Sequence, residues 1–274
     1  MRKTYKGIPT IEGAGVKLTR IFSQPDTADV DPFLLLDFFD SYDPADFAKG
    51  FPWHPHRGIE TITYLIEGRI THGDNLGNSG VIGPLGCQWM TAGRSIIHQE
   101  MPDTTGRILG TQLWLNLPRA HKMTAPAYRD ISAEDVPSVE NGDVQVRVVA
   151  GAFLGVHGPV RGTYVDPIFF DITIHPGGIF QANIPVEENV FLFLLNGRVF
   201  FPDGMSASAP DIRGILLGSG ERVKLSSEDG ARLLLIAGRP LREPVAWGGP
   251  IVMNTQDELR EAFRQMQDGT FVQK

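Results

Sequence analysis

His54 to Gly68 reads HPHRGIETITYLIEG. Its second half, from Ile59 to Ile66, is dense in β-branched and aromatic side chains and closes on Glu67-Gly68, which predicts a strand ending at a turn. Its first half sets two imidazoles two residues apart around Pro55, a residue that disfavours helix. In an extended segment, residues i and i+2 share a face, so His54 and His56 aim at one spot. Further on, His98-Gln99-Glu100 repeats the spacing. Two strands presenting such pairs to one interior supply four ligands: His54, His56, His98 and Glu100. Imidazoles suit iron, copper, nickel and zinc, and a carboxylate joined to imidazoles at a site with open positions suits non-haem Fe(II). One divalent transition metal is expected, iron first, and Ni, Cu, Mn, Co or Zn can occupy the same ligands.

Strand signals dominate the remaining chain. Gly110–Leu117, Val144–Val149, Ile168–Ile174, Val190–Leu195 and Arg232–Ala237 are apolar, β-branched or aromatic runs, most of them bounded by Gly, Pro, Asn or Asp. Short strands and turns at this spacing read as a sandwich or barrel rather than βαβ. A weak echo, ETITYLIEG at Glu60 and ENVFLFLLNG at Glu188, ends each time on a hairpin-like Glu-Gly or Asn-Gly. Duplication into two β-barrels explains it, with the boundary in the mixed-polarity stretch from Pro118 to Asn141. The expected domains are residues 1–125, with the metal, and 126–274. One helix is predicted near the end: Asn254-Thr255-Gln256-Asp257-Glu258 caps it, Leu259, Phe263 and Met266 recur at helical spacing, and Asp268-Gly269 stops it.

Several polar residues near the ligands need a reading. Glu60 shares the even parity of His54 and His56, so it is expected to face inward, where orienting a ligand imidazole is favoured over serving as a fifth ligand or having no part in the site. The parity of Gln112 against the metal stays open. His72, in Thr71-His72-Gly73-Asp74-Asn75, reads as a solvated turn residue. Arg57 and Arg94 read as solvated or salt-bridged. Cys87 sits in an apolar run and reads as a buried small hydrophobe.

The chain has 274 residues and a formal net charge of −7. That sign argues against direct nucleic-acid binding and fits small molecules or protein partners. A lone cysteine excludes an internal disulfide and a zinc site built from four thiolates, and suits a reducing compartment. The N-terminal MRKTYKGIPTIEG lacks the apolar core of a signal peptide, and no apolar stretch reaches the roughly 20 residues of a membrane span. A cytoplasmic, monomeric protein without membrane contact is expected.

HPHRGIETITYLIEG resembles the first metal motif of the pirin family, within the cupin superfamily. Met90–Pro102, MTAGRSIIHQEMP, resembles its second motif, and Gly249–Phe271, GGPIVMNTQDELREAFRQMQDGTF, is similar to its C-terminal signature. Leu34-Leu35-Leu36-Asp37-Phe38 is likewise similar to pirin N-termini. The resemblance implies an all-β bicupin, two stacked cupin-type barrels with a short C-terminal helix, and iron on His54, His56, His98 and Glu100 of the first barrel only. It also implies one of two roles. One is a quercetin 2,3-dioxygenase-like oxidoreductase that opens a flavonol ring with O2, with Glu100 as catalytic base. The other is a non-enzymatic iron-binding regulator of transcription factors or metabolic enzymes, possessing a protein partner.

Overall fold

The computed structural model describes residues 1–272, and short antiparallel strands make up most of it. The chain divides into two compact units. The first comprises Ile8–Asp29, Phe33–Ala133 and the segment from Leu241 onward; the second comprises Met1–Gly7, Val30–Pro32 and Glu134–Pro240. This differs from the expected division at 125/126. Ala127–Ile131 pairs with Cys87–Thr91 inside the first unit, and the C-terminal segment docks there too. Local patterning specifies a strand or helix but not the sheet it joins.

The first unit holds two sheets. A seven-stranded sheet runs, in spatial order, through Ala127–Ile131, Cys87–Thr91, Ile59–Glu67, Ile108–Asn116, Phe33–Ser41, Val16–Phe22 and Ile8–Glu12. A four-stranded sheet runs through Phe51–His56, Ile96–Pro102, Ile70–Asp74 and Ser79–Ile82. Val16, Leu18, Phe39, Leu65 and Ile108 of the larger sheet pack with Ile70 and Ile82 of the smaller in one buried cluster. Burying each such side chain contributes about 1.5–3 kcal/mol, so this cluster anchors one end of the interior. One rung away on the same face, the larger sheet turns polar. Arg20, Asp37, Gln112, Thr63, Gln88 and Asp130 are successive cross-strand partners over six strands. The next rung carries Leu35, Trp114, Thr61 and Met90.

The second unit is built on a sheet that includes Asn189–Phe200, Ala231–Gly238, Ile168–Ile174 and Val144–Ala150 as neighbours, over its own apolar core. Among the described residues no sheet path closes on itself, so the all-β expectation holds while closed barrels are not seen.

The two echo positions are not hairpins. Ile59–Glu67 and Ile70–Asp74 belong to different sheets, and Gly68 (φ 95°) carries the corner between them. Asn189–Phe200 runs on through Asn196-Gly197 with a register shift at Leu194/Asn196, and its far end pairs with Ser206–Ser208 instead. A glycine with positive φ serves both places because the chain must bend where strand partners change.

The C-terminal helix is Gln256–Gln267. Thr255 Oγ1 accepts from the Glu258 amide, and the Glu258 carboxylate accepts from the Thr255 amide, the reciprocal cap its sequence predicts. Leu259 and Ala262 are its buried residues, packed with Ala246, Ile251, Met253 and Phe271, while Phe263 stays 37% exposed. No described helix is long and apolar enough to cross a membrane.

Candidate metal centre

His54 and His98 are directly opposed partners of Phe51–His56 and Ile96–Pro102, and His56 opposes Ile96. The ring centroids lie 4.3 Å apart for His54 and His98, 4.9 Å for His54 and His56, and 5.1 Å for His56 and His98. One ligand nitrogen from each lies within 4.8 Å of the others. His56 and His98 are buried, and His54 is half-buried at the mouth. The two-residue spacing on each strand therefore brings three imidazoles together, as expected.

Each ring's ability to bind a cation can be read from its partners. His54 Nδ1 lies 2.8 Å from the Pro52 carbonyl and His56 Nδ1 lies 3.2 Å from the Pro250 carbonyl. A carbonyl only accepts, so each Nδ1 carries the hydrogen and each Nε2 keeps its lone pair. His98 is 0% exposed, and neither ring nitrogen has a hydrogen-bond partner among the described residues. Leaving a buried polar group unbonded costs roughly 1–3 kcal/mol, which a ligand at that nitrogen would relieve. Burial, followed by the neighbouring His54, pushes His56 down to about 3, and burial likewise holds His98 well below the usual imidazole range. Both rings are neutral at pH 7, the form that ligates. The residues present fit a transition cation.

Glu100 lies outside the three-imidazole set. It is 2% exposed, and Thr63 Oγ1 and Gln112 Nε2 each donate to its carboxylate at 2.8 Å. Gln112 thus points inward. Glu100 follows His98 by two residues in an undisturbed pairing with Ile70–Asp74, so both face the same interior.

Glu60 does not. It alternates with Thr63 along a regular strand, opposes Leu115 and Thr91, and accepts from Thr91 Oγ1 at 2.7 Å. Its side chain therefore lies on the opposite face from Thr63 and Gln112. The parity argument failed at Gly58 (φ 79°), where the turn resets alternation between the two strands. His72 is also corrected: it is 1% exposed within Ile70–Asp74, held between the Tyr128 hydroxyl at Nδ1 and Asp130 Oδ1 at 3.0 Å from Nε2. Gly80 allows this, since a Cβ there would sit 2.3 Å from Asp130. Arg57 is buried, donating to the Arg94 and Phe271 carbonyls and lying over the Phe271 ring. Cys87 is fully buried, and burial pushes its thiol up.

The C-terminal segment completes the site. Besides the Pro250 carbonyl, it supplies Trp247, whose ring lies 5.9 Å from that of Trp114, itself edge-on to His56 at 5.0 Å. Val252 N donates to the Arg57 carbonyl. Gly58 has no Cβ because one would fall 2.0 Å from the Val252 carbonyl. Lys122 Nζ, buried, donates to the Gly58 and Val252 carbonyls and to Asn116 Oδ1, and burial lowers it to about 7. A cavity of about 630 Å³ opens beside His54 and His56, within the range of small-molecule sites. None of Trp114, Trp247, Pro250 or Thr63 carried a sequence signal of this role.

Residues 15–115 match the pirin family profile, and residues 169–272 match that of the pirin C-terminal cupin domain. The chain belongs to the pirin family. A pirin-like protein of Caulobacter vibrioides is 45% identical over 98% of both chains. A Pseudomonas aeruginosa protein provisionally named quercetin 2,3-dioxygenase is 42% identical, with 97% of this chain and 95% of that one covered. The crystal structure of quercetin 2,3-dioxygenase from Acinetobacter baumannii superposes with a TM-score of 0.89 at 31% identity, covering 98% of this chain and 96% of that one. The pirin relatives and this structure agree with cupin-type domains followed by a C-terminal helix.

The neutral state of the two buried pirin imidazoles has a consequence for stability. Unfolded, each ring titrates near 6.5; folded, His56 titrates at about 3. Between those values the unfolded chain binds more protons, so the stabilisation is complete above pH 6.5 and is lost as pH falls toward 3. Metal-free protein is expected to lose about 1 kcal/mol per pH unit from His56 across pH 6 to 5, with His98 acting in the same direction. Denaturant midpoints at pH 7.5, 6 and 5 measure it, and a His98→Asn variant should show the shallower slope.

Proposed function

We propose that this pirin is a metal-dependent dioxygenase acting on flavonol-type substrates with O2. The observation that carries the reading is the pairing of three buried or half-buried imidazoles with a carboxylate on the same interior face, with an aromatic-lined cavity beside His54 and His56. His54, His56 and His98 would hold the metal, with Glu100 as fourth ligand, and iron(II) is the first candidate by ligand type. Such a cation would supply Lewis acidity and redox chemistry at the substrate's oxygens.

The chain's own groups do the rest. Pro52 and Pro250 carbonyls fix the tautomers of His54 and His56. Glu100 takes the 3-hydroxyl proton onto a carboxylate oxygen, and its bonds to Thr63 and Gln112 hold that carboxylate in place. Trp114 and Trp247 give the planar substrate an aromatic wall.

The experiment combines metal analysis with turnover: quantify bound metal, reload with Fe(II) without oxygen, then admit O2 and follow quercetin loss with O2 uptake. Matched consumption that disappears in a His56→Ala variant supports the reading. Stoichiometric iron without turnover of quercetin or related flavonols overturns it in favour of an iron-holding regulator with a protein partner.

A further inference from the structure

The cavity beside the imidazoles is lined by two unlike groups. One is aromatic, Trp53, Trp114 and Trp247; the other is charged, Glu12, Arg20 and Asp37. Arg20 Nε and Nη2 donate to the two Asp37 oxygens at 2.9 and 2.7 Å, and Arg20 Nη1 lies 2.8 Å from Glu12 Oε1. The guanidinium is spent on two carboxylates, so the charged trio carries more negative than positive charge. Asp37 is 5% exposed, so its position is fixed, while the Glu12 side chain is 40% exposed at the rim.

The position of this trio follows from strand register. Arg20 opposes Asp37, Asp37 opposes Gln112, and Gln112 opposes Thr63, the two residues that hold Glu100. Of this rung Arg20, Asp37 and Gln112 line the cavity, and strands lie about 4.8 Å apart, so its exposed part spans roughly 10 Å, the reach of a flat molecule of two or three aromatic rings. A ligand in this cavity with its reacting oxygens near His54 and His56 and its rings along Trp114 extends its far end toward Arg20 and Glu12.

We propose that Glu12, Arg20 and Asp37 form a specificity wall that selects neutral polyhydroxylated aromatics and rejects anionic conjugates. This rests on the flavonol reading above. Phenolic hydroxyls donate to the remaining lone pairs of Glu12 and Asp37, and the two remaining Arg20 N–H groups donate to a neutral oxygen. A sulfate or carboxylate at the same place meets two carboxylates against one guanidinium.

Binding is measured by tryptophan quenching on the protein as purified, under nitrogen, so that no turnover intrudes. The probes are quercetin, 3-hydroxyflavone (which lacks the remote hydroxyls) and a sulfated quercetin. Quercetin should bind roughly tenfold tighter than 3-hydroxyflavone, the difference expected of a hydrogen bond to a charged group. Glu12→Gln should collapse that ratio several-fold, leave 3-hydroxyflavone unchanged and improve the sulfate. Equal effects on quercetin and 3-hydroxyflavone, sulfate binding as tight as quercetin, or no flavonol binding at all would overturn the wall. Selective binding without O2 uptake by the iron-loaded protein would instead sink the dioxygenase reading and leave the wall standing; turnover indifferent to Glu12→Gln in both KM and binding would do the reverse.

Discussion

A His98→Leu variant is expected to lose iron while its metal-free form becomes more stable. The side chain sits at 0% exposure with both ring nitrogens unbonded. Leucine has similar bulk and no polar atom, so the substitution removes a desolvation cost of about 1 kcal/mol or more. The same change removes the imidazole that directly opposes His54. Loss of a group that only orients a ligand costs about 10–100-fold in metal affinity, and loss of a ligand itself should exceed that. Iron content after dialysis and the denaturant midpoint of the apo protein are the two readouts. An unfolding free energy that falls by several kcal/mol with iron retained would show His98 to be a packing residue. Opposite signs for the two readouts would show a position kept for binding at a cost to folding.

Glu100→Gln is expected to lower kcat by about 10²–10⁴ with flavonol, the usual contribution of a positioned base. The amide keeps the shape, and Thr63 can still donate to its oxygen, but the group no longer accepts a proton. Three imidazoles remain, so iron should still load, more weakly. A Gln112→Leu variant removes only one of the two donors to the carboxylate and should fall by less, roughly 10–100-fold. Steady-state O2 uptake on iron-quantified samples separates the effects. Full activity in Glu100→Gln would reassign the base.

What was legible in the sequence follows the range of each signal. Two-residue spacing inside one strand is local, so His54, His56, His98 and the inward face of Glu100 could be read. The reading of Glu60 crossed Gly58, and a single residue with positive φ was enough to reverse it. Gln112 and Thr63 lie in apolar strands whose parity against the ligands depends on pairing between strands. His72 looked like a turn because Gly73, Asp74 and Asn75 are turn residues, yet it lies within the strand Ile70–Asp74. The capped helix after Asn254 was plain, since capping is encoded in four residues, whereas its membership of the unit that carries the three imidazoles depends on contacts some two hundred positions away.

That last separation has a bearing on synthesis. The histidine that donates to Pro250 precedes it by 194 residues, with the whole of Glu134–Pro240 between them folding elsewhere. A ribosome that has released residues up to Ala133 has delivered every imidazole of the cluster and Glu100, but not the carbonyl that orients His56, the Trp247 wall or the Val252 backbone that Lys122 grips. A nascent chain can gather its histidines early and still lack the finished centre, so maturation waits on the return of the tail.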